Sequence, residues 1–201
     1  MRLPATAHTS RPWRIHEITK DFRLEDVWAL PTPGGAHDFP LLVDAVIAFD
    51  LSQSSSWAVR TLVEIRWKLG ALFGWDRPKS GVDARVRSLR ERLPLDLLTA
   101  ATGPTPNNLP FKPLYALDDE WAAEIANETM HGVLHLGWVR DDDGYRGQLA
   151  VLVKPNGWFG NAYMAAIKPF RHLIVYPMLM KDIEHAWRAA LSDSRPLNAK
   201  P

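Results

Sequence analysis

The clearest pattern of apolar and polar positions lies between Asn161 and Leu191 and repeats with the period of an α-helix. At about 100° per residue, the apolar side chains fall in one arc and the charged ones in the other. The apolar arc holds Leu173, Tyr176, Leu179, Met180, Ile183, Trp187, Ala190 and Leu191. Pro169 and Pro177 each lack a backbone donor, so we expect a kink or break at one of them. The pattern predicts a long amphipathic helix that lies on a broad apolar surface.

The segment before this helix alternates with period two, which is typical of strands with one buried face. The turn signal DDDG at 141–144 joins two such runs and predicts a hairpin. The predicted strands are 114–117, 121–127, 130–138 and 145–154. These patterns predict an α+β fold in which an antiparallel sheet packs on a long C-terminal helix.

The N-terminal half of the chain carries weaker patterns. Asp38 can cap a helix over 39–49, because Asp is a preferred N-cap residue and Pro40 is tolerated in the first turn. The other predicted elements are a strand at 13–19 and helices at 24–30, 57–73 and 82–93. We expect one domain over 12–191, flanked by a disordered tail at 1–11 and a C-terminal tail at 192–201.

Composition narrows the function classes. A net charge of +1 creates no overall field for nucleic acid, so no nucleic-acid partner is expected. The absence of cysteine removes disulfides, thiol nucleophiles and thiolate metal sites. The longest apolar run, Leu173–Met180, is far shorter than the about 20 residues of a membrane span. The first residues also lack the apolar stretch of a secretory signal, so we expect a cytoplasmic protein.

Few side chains are candidates for chemistry, and the sequence contains no catalytic or cofactor motif. His131 and His135 have the i,i+4 spacing of a helical metal pair, but a strand would separate their α-carbons by about 13 Å. They are therefore predicted to face solvent, and no metal site is expected. Asp141–Asp143 is interpreted as a polar turn, because it lacks the spaced ligands of a calcium loop. Arg66 falls in the apolar arc of its helix. It is interpreted either as a side chain whose charged end reaches solvent or as a cation that binds an acidic ligand.

Three segments carry a resemblance to a known family: SSSWAVRTLVEIRWKLG (54–70), EIANETMHGVLHLGWV (124–139) and GNAYMAAIKPFRHLIVYPMLM (160–180). They resemble an uncharacterised bacterial domain-of-unknown-function family of the START-like (SRPBCC) superfamily, which includes the birch-pollen allergen and polyketide cyclases. The resemblance implies a helix-grip fold, in which a curved antiparallel sheet wraps around a long C-terminal helix. The superfamily usually has more than the about five strands counted here, which implies further strands within 36–52 or 95–113.

The resemblance also implies an apolar cavity between the sheet and the helix, and it carries over no catalytic residue. The leading hypothesis is a binding module for a small hydrophobic or amphipathic molecule. The predicted ligand-binding residues are Arg66, Leu134, Trp138, Val151, Tyr163 and Tyr176, with Arg66 as the anchor for an acidic head group.

Two alternatives remain open. An enzyme of cyclase or hydrolase type would use the same cavity, with Glu124, His172 or Tyr163 as its acid or base. A dimerising interaction protein would use the helix between Phe170 and Met180, where apolar side chains lie on nearly all sides.

Overall fold

A computed structural model describes residues 1–47, 82–83, 86–106, 110–127 and 129–194, apart from the side chains of Phe159, Tyr163 and Ser194. The helix predicted at 57–73, which carries Arg66, lies outside the described residues.

The described part of the chain combines helices and strands, which confirms the predicted α+β class. The helices are α1 (Thr6–Thr9), α2 (Ile15–Ile18), α3 (Phe39–Ile47), α4 (Leu95–Thr99), α5 (Gly157–Phe170) and α6 (Tyr176–Ser194). The strands are β1 (Arg23–Ala29), β2 (Lys112–Ala116), β3 (Glu120–Ala126), β4 (Met130–Asp141) and β5 (Gly144–Pro155). A 3₁₀ helix spans Leu89–Arg92, and a π-helical turn, Arg171–Val175, joins α5 to α6.

The strands form one antiparallel sheet in the order β1-β5-β4-β3-β2. Strands β2 to β5 follow the predicted runs, and β1 pairs with β5 at the far edge. The DDDG turn closes the β4–β5 hairpin, with Gly144 at a φ of 143° that side chains rarely adopt. The sheet and the C-terminal helix are thus the two elements that the sequence predicts best.

Each face of the sheet is covered by a hydrophobic core, because successive side chains along a strand point to opposite faces. The helix-side core lies between the sheet and the helices α3 and α6. It contains Trp28, Leu30, Phe39, Leu42, Trp121, Leu136, Trp138, Tyr176, Ile183 and Trp187. The N-terminal core covers the other face. It contains Trp13, Ile15, Ile18, Leu89, Leu97, Leu114, Tyr115, Ala122, Val133 and Leu152.

The helix predicted at 24–30 is wrong, because this segment forms strand β1. A β-bulge between Leu24 and Asp26 breaks the strand alternation. Leu24, Val27 and Trp28 are consequently spaced at i, i+3 and i+4, and this spacing imitates the apolar face of a helix.

The N-terminal segment also departs from its prediction. The strand expected at 13–19 contains α2 instead, which buries Ile15 and Ile18 in the N-terminal core. Residues 1–11, expected to be disordered, include α1, and its His8 is fully buried. This segment is therefore part of the layer that covers the sheet face opposite the C-terminal helix.

The regions expected to hold further strands contain helices in the described residues. Helix α3 occupies Phe39–Ile47, within the helix predicted at 39–49, while the Asp38 carboxylate accepts a hydrogen bond from the Gly35 N–H, and α4 occupies Leu95–Thr99. The basic helix predicted at 82–93 is represented by the 3₁₀ helix alone in this part of the chain. No helix among the described residues is long and apolar enough to cross a membrane.

The predicted C-terminal helix is present, and its regular geometry is interrupted at the π turn, between Pro169 and Pro177. The buried positions of α6 include Met180, Ile183 and Trp187, as the apolar arc predicts. Leu173, which the same arc predicts to be buried, is 77% exposed. The π turn explains this difference, because an i→i+5 turn changes the phase of the side chains that precede it.

Gly160 marks a close contact between α5 and the turn that joins β3 to β4. A Cβ atom at this position would lie 2.2 Å from the backbone oxygen of Thr129. Because backbone atoms must then move, we expect Gly160→Ala to lower the free energy of unfolding by about 1–3 kcal/mol in urea denaturation. The control is Gly35→Ala, whose Cβ would have its nearest contact at 3.5 Å, which is ordinary van der Waals distance. Similar losses in the two variants would contradict the steric account.

Candidate functional site

A buried carboxylate, Asp26, lies on the helix side of the sheet and is 2% exposed. It pairs across the strands with Val151, which in turn lies opposite Leu134. Leu24 packs in the N-terminal core, and regular alternation would direct Asp26 to that core as well. The β-bulge between these two residues therefore turns Asp26 toward the C-terminal helix.

Three side chains from the C-terminal helix surround this carboxylate, and we call the four residues the Asp26 centre. His172 Nε2 lies 2.5 Å from Asp26 Oδ1, and Tyr176 donates its hydroxyl to Asp26 Oδ2 over 2.9 Å. Arg171 Nη2 lies 3.0 Å from the same Oδ2. Burial, and then the charge of Asp26, raise the pKa of Tyr176, so its hydroxyl remains a donor. Together these groups offset the cost of removing the carboxylate from water.

The π turn explains how the three side chains reach one carboxylate. In an α-helix successive residues point about 100° apart, so Arg171 and Tyr176 would diverge. The i→i+5 bonding of a π turn brings residues that are five apart onto one side of the helix. Single π turns and β-bulges both occur often beside functional sites, and here the two irregularities meet at the same side chains.

Part of the Arg171 guanidinium is unpaired, although its side chain is only 15% exposed. Nη2 is close to Asp26 and lies 3.6 Å from Glu25 Oε2, but its alignment gives no hydrogen bond. Nε also has no hydrogen-bond partner among the described residues. A guanidinium presents adjacent N–H groups as a planar fork that binds carboxylate or phosphate in bidentate fashion. In Arg171 the Nε and Nη2 atoms of this fork are both buried and form no hydrogen bond among the described residues, and the nearest negative charge is Asp26.

Apolar groups lie next to Tyr176 and Asp26. Trp28 stacks on Tyr176, with ring centroids 4.7 Å apart and an interplanar angle of 30°. Val151 and Leu134, which share the cross-strand row of Asp26, are only partly buried. The His172 side chain is 18% exposed, so the centre is open to solvent on the His172 side. The arrangement can hold a molecule that has an acidic head and an apolar body.

A second set of buried polar side chains lies in the N-terminal core, and we call it the Glu120 network. His135 Nε2 lies 2.9 Å from Glu120 Oε2, and His135 Nδ1 lies 3.3 Å from His8 Nε2. The backbone N–H of Arg14 donates to Glu120 Oε1 over 2.9 Å. These contacts fasten the N-terminal segment to strands β3 and β4.

Burial controls how the Glu120 network titrates. It raises the pKa of Glu120 to about 7, because the charged carboxylate is poorly solvated. It lowers the pKa values of His8 and His135 to about 3, with a further contribution from the nearby His16. Both buried imidazoles are therefore neutral at neutral pH.

Glu120 also borders an open cleft of about 440 Å³. The cleft is lined by Arg11, Pro12, Trp13, Arg14, Leu117, Asp119, Glu120 and Trp138. Both Glu120 oxygens already hold hydrogen bonds, and the Arg14 side chain pairs with Glu17 and Asp96. The Asp26 centre differs in that two N–H groups of its Arg171 guanidinium form no hydrogen bond among the described residues, and we therefore take it as the candidate for ligand chemistry.

The predicted solvent exposure of His131 and His135 is wrong, since they are 4% and 0% exposed. They do lie on the sheet face opposite Leu134, but the N-terminal core covers that face. His131 Nε2 lies 2.8 Å from Glu124 Oε2, and Glu124 also accepts a hydrogen bond from the Ser88 hydroxyl. Among the described residues, no group of three or more His, Cys, Asp or Glu side chains could hold a metal ion.

The residues predicted to bind a ligand are distributed as follows. Leu134, Val151 and Tyr176 lie at or beside the row of Asp26, on the helix side of the sheet. Trp138 packs in the same core, but its Nε1 donates to the Gly35 carbonyl, and its ring also borders the Glu120 cleft. Arg66 and the Tyr163 side chain lie outside the described residues. The binding role of all six stays a prediction.

The candidate acids and bases of the enzyme hypothesis are separated. His172 belongs to the Asp26 centre, whereas Glu124 lies on the other face of the sheet.

Sequence reasoning missed Asp26 and Arg171. The available signal was the basic pair Arg171-His172 within a mainly apolar run, while Asp26 was hidden by the bulge.

Comparison with known proteins gives a family. A family model described as a protein of unknown function, DUF2867, matches residues 18–178. No curated protein and no solved structure matches the chain. The matched range includes every residue of the Asp26 centre, whereas His8 and Arg14 of the Glu120 network precede it. Because the match covers most of its length, the chain belongs to the DUF2867 family.

Proposed function

We propose that the protein is a binding module for a small amphipathic molecule whose acidic head group is held at the Asp26 centre. The observation that supports this proposal is the Arg171 guanidinium, whose buried Nε and Nη2 atoms form no hydrogen bond among the described residues although Nη2 lies 3.0 Å from the Asp26 carboxylate. A buried donor without a partner costs about 1–3 kcal/mol, and a bound carboxylate would recover this loss. Arg171 thus takes the anchoring role that the sequence suggested for Arg66.

The apolar body of the ligand would lie against the helix-side core next to Trp28, Val151 and Leu134. Burial of apolar surface contributes roughly 25 cal/mol per Å², while the cation fixes the orientation of the head. The partly buried state of Val151 and Leu134 supports this placement. The ligand class is therefore a small carboxylic acid with an alkyl or ring-containing body.

We also propose that this fold is a helix-grip fold of the START-like superfamily. The antiparallel sheet and the C-terminal helix packed on one of its faces support the assignment. The second layer, built from α1, α2 and the segment around Leu89, covers the opposite face. This kinship is consistent with small-molecule binding on the helix side of the sheet, and with a cytoplasmic location.

The test compares octanoate with octanol, which share a similar apolar body and differ in the charge of the head. We expect Arg171→Met to weaken octanoate binding about 10- to 100-fold, because hydrogen bonds to charged groups are worth about 1.5–3 kcal/mol. Octanol binding should change little. Calorimetry gives the affinities, and thermal unfolding confirms that the variant is folded.

Arg188→Met is the matched control, since Arg188 lies on the same helix with a 71% exposed side chain and pairs only with Glu184 among the described residues. It should leave both affinities unchanged. Equal loss of acid and alcohol binding in Arg171→Met would rule out the anchor. If the wild-type protein bound octanol as tightly as octanoate, or bound neither, the proposed function itself would fail.

A further inference from the structure

The Asp26 centre contains more than an anion receptor, because Asp26 and His172 form a carboxylate–imidazole pair. His172 Nε2 lies 2.5 Å from Asp26 Oδ1, and the Asp26 side chain is fully buried while that of His172 is 18% exposed. The open edge of the pair is therefore the imidazole.

The carboxylate fixes the state of the imidazole. When Nε2–H donates to Asp26, the lone pair of a neutral His172 is on Nδ1, where it can accept a proton. Asp26 is itself held by the Tyr176 hydroxyl, so the orientation of the carboxylate does not depend on His172. A buried carboxylate orients a histidine base in the same way in hydrolases of unrelated folds.

Arg171 supplies the second part of a hydrolytic site. It precedes His172 in the chain and contacts the other oxygen of the same carboxylate. A tetrahedral intermediate of ester hydrolysis carries a negative oxygen, and donors aimed at that oxygen stabilise the transition state. The positive charge of Arg171, whose side chain is 15% exposed, lies next to His172 in the chain and favours a negative oxygen there as well as the carboxylate of the product.

We infer that the Asp26 centre hydrolyses carboxylic esters of small amphipathic acids, with His172 as the general base. His172 Nδ1 takes a proton from water, and the water oxygen bonds to the acyl carbon while the carbonyl electron pair moves onto oxygen beside Arg171. Collapse of this intermediate breaks the bond to the alcohol, which leaves with the proton from Nδ1. Ester and water become acid and alcohol, and Asp26 acts as a positioning residue that keeps its own charge.

This inference rests on the proposed function, because the acid that the centre is proposed to bind is the product of the reaction. The described titratable and charged groups around the imidazole are Asp26 and Glu25 on β1, with Arg171 and Tyr176 on the C-terminal helix. Asp26 is the only one of these in hydrogen-bond contact with His172 among the described residues. Asp26 is therefore the group that orients the imidazole.

The experiment measures release of p-nitrophenolate from p-nitrophenyl octanoate by the full chain, together with octanoate binding. His172→Gln keeps an amide that can donate to Asp26 but removes the base. We expect the hydrolysis rate to fall about 10²- to 10⁴-fold, which is far more than the loss of octanoate affinity, because Arg171 remains as the anchor. The control is His185→Gln, an exposed histidine on α6, which should match the wild type.

The pH profile supplies a second, independent readout. The wild-type rate should rise with pH, as catalysis by a general base requires, and the residual rate of His172→Gln should lack this rise. A flat wild-type profile, or equal rates in His172→Gln and the wild type, would overturn the inference even if the variant folded poorly. Octanoate binding without ester hydrolysis would overturn hydrolysis alone, and loss of octanoate binding from the wild type would remove the proposed function too.

Discussion

Asp26→Ala is expected to lower the free energy of unfolding by about 3–5 kcal/mol, because it removes one partner of a buried ionic group. Asp26 is 2% exposed, and the substitution leaves the Arg171 cation without its closest counter-charge. The Tyr176 hydroxyl and the His172 ring lose their acceptor at the same time. Urea denaturation at neutral pH gives the loss as a shift in the transition midpoint.

The control for this prediction is Asp21→Ala, since Asp21 lies in the turn before β1 and its side chain is 40% exposed. It pairs with Arg92 and Lys154 at the surface. Exposed ion pairs contribute about 0–1 kcal/mol, so Asp21→Ala should have a small effect. If the two substitutions lowered the free energy of unfolding equally, the contacts of Asp26 would not be the main polar contacts between β1 and the C-terminal helix.

Tyr176→Phe separates the charge from the hydrogen bond within this centre. It removes one donor to Asp26 and leaves the stacked ring on Trp28 in place. A loss of about 1 kcal/mol is expected for this single bond. A much larger loss would mean that the hydroxyl, rather than Arg171 and His172, is the main partner of the carboxylate.

Regular periodicity explains why the sheet and the C-terminal helix could be predicted. Leu134, Leu136 and Trp138 alternate without interruption, and all three lie on the helix side of the sheet. Met180, Ile183 and Trp187 repeat at helical spacing and are buried as expected. In both segments the pattern extends over several turns or residue pairs, so one irregular position cannot hide it.

The Asp26 centre could not be predicted because it depends on two irregularities of the backbone. The bulge before Asp26 shifts a strand by one residue, which moves every later side chain to the other face. The π turn changes the helical phase, so that Leu173 is exposed while Arg171 and His172 reach the sheet. A one-residue shift does not change the composition and changes the hydrophobic period of the sequence only weakly.

The N-terminal core was missed for a different reason. The polarity of His131 and His135 indicates solvent when each strand is considered alone, although both side chains are buried. Their burial depends on Glu124 and Glu120 as partners, and on α1 and α2 as a cover. Such pairing joins residues that are distant in the sequence, so local patterns do not reveal it.

Stability at acid pH is expected to depend on opposing contributions from the Glu120 network. The pKa values of His8 and His135 are lowered from 6.5 to about 3, so the unfolded chain takes up protons that the folded chain does not. Their contribution to stability is therefore lost as the pH falls from 6.5 to 3. The pKa of Glu120 is raised from 4.5 to about 7, so the folded chain takes up its proton first and gains stability as the pH falls from 7 to 4.5.

Two substitutions should change the pH dependence in opposite directions. Glu120→Gln removes the carboxyl group whose protonation stabilises the folded chain, so stability should fall more steeply between pH 7 and 4.5 than in the wild type. His135→Gln removes one imidazole, so stability should fall less steeply between pH 6.5 and 3. Each change corresponds to about 1.4 kcal/mol per pH unit for one proton. The other described charged group in hydrogen-bond reach, Arg14, meets Glu120 through its backbone N–H and does not titrate in this range.

The measurement is the free energy of unfolding from urea denaturation at several pH values, compared as slopes rather than as absolute stabilities. Slopes cancel the constant loss that each substitution causes by disturbing the buried hydrogen bonds. His185→Gln again serves as the control, because it replaces an exposed histidine outside the Glu120 network. Parallel curves for all variants would show that burial does not shift these groups. Opposite changes of slope would show that burial lowers the pKa of His135 and raises the pKa of Glu120 in the folded protein.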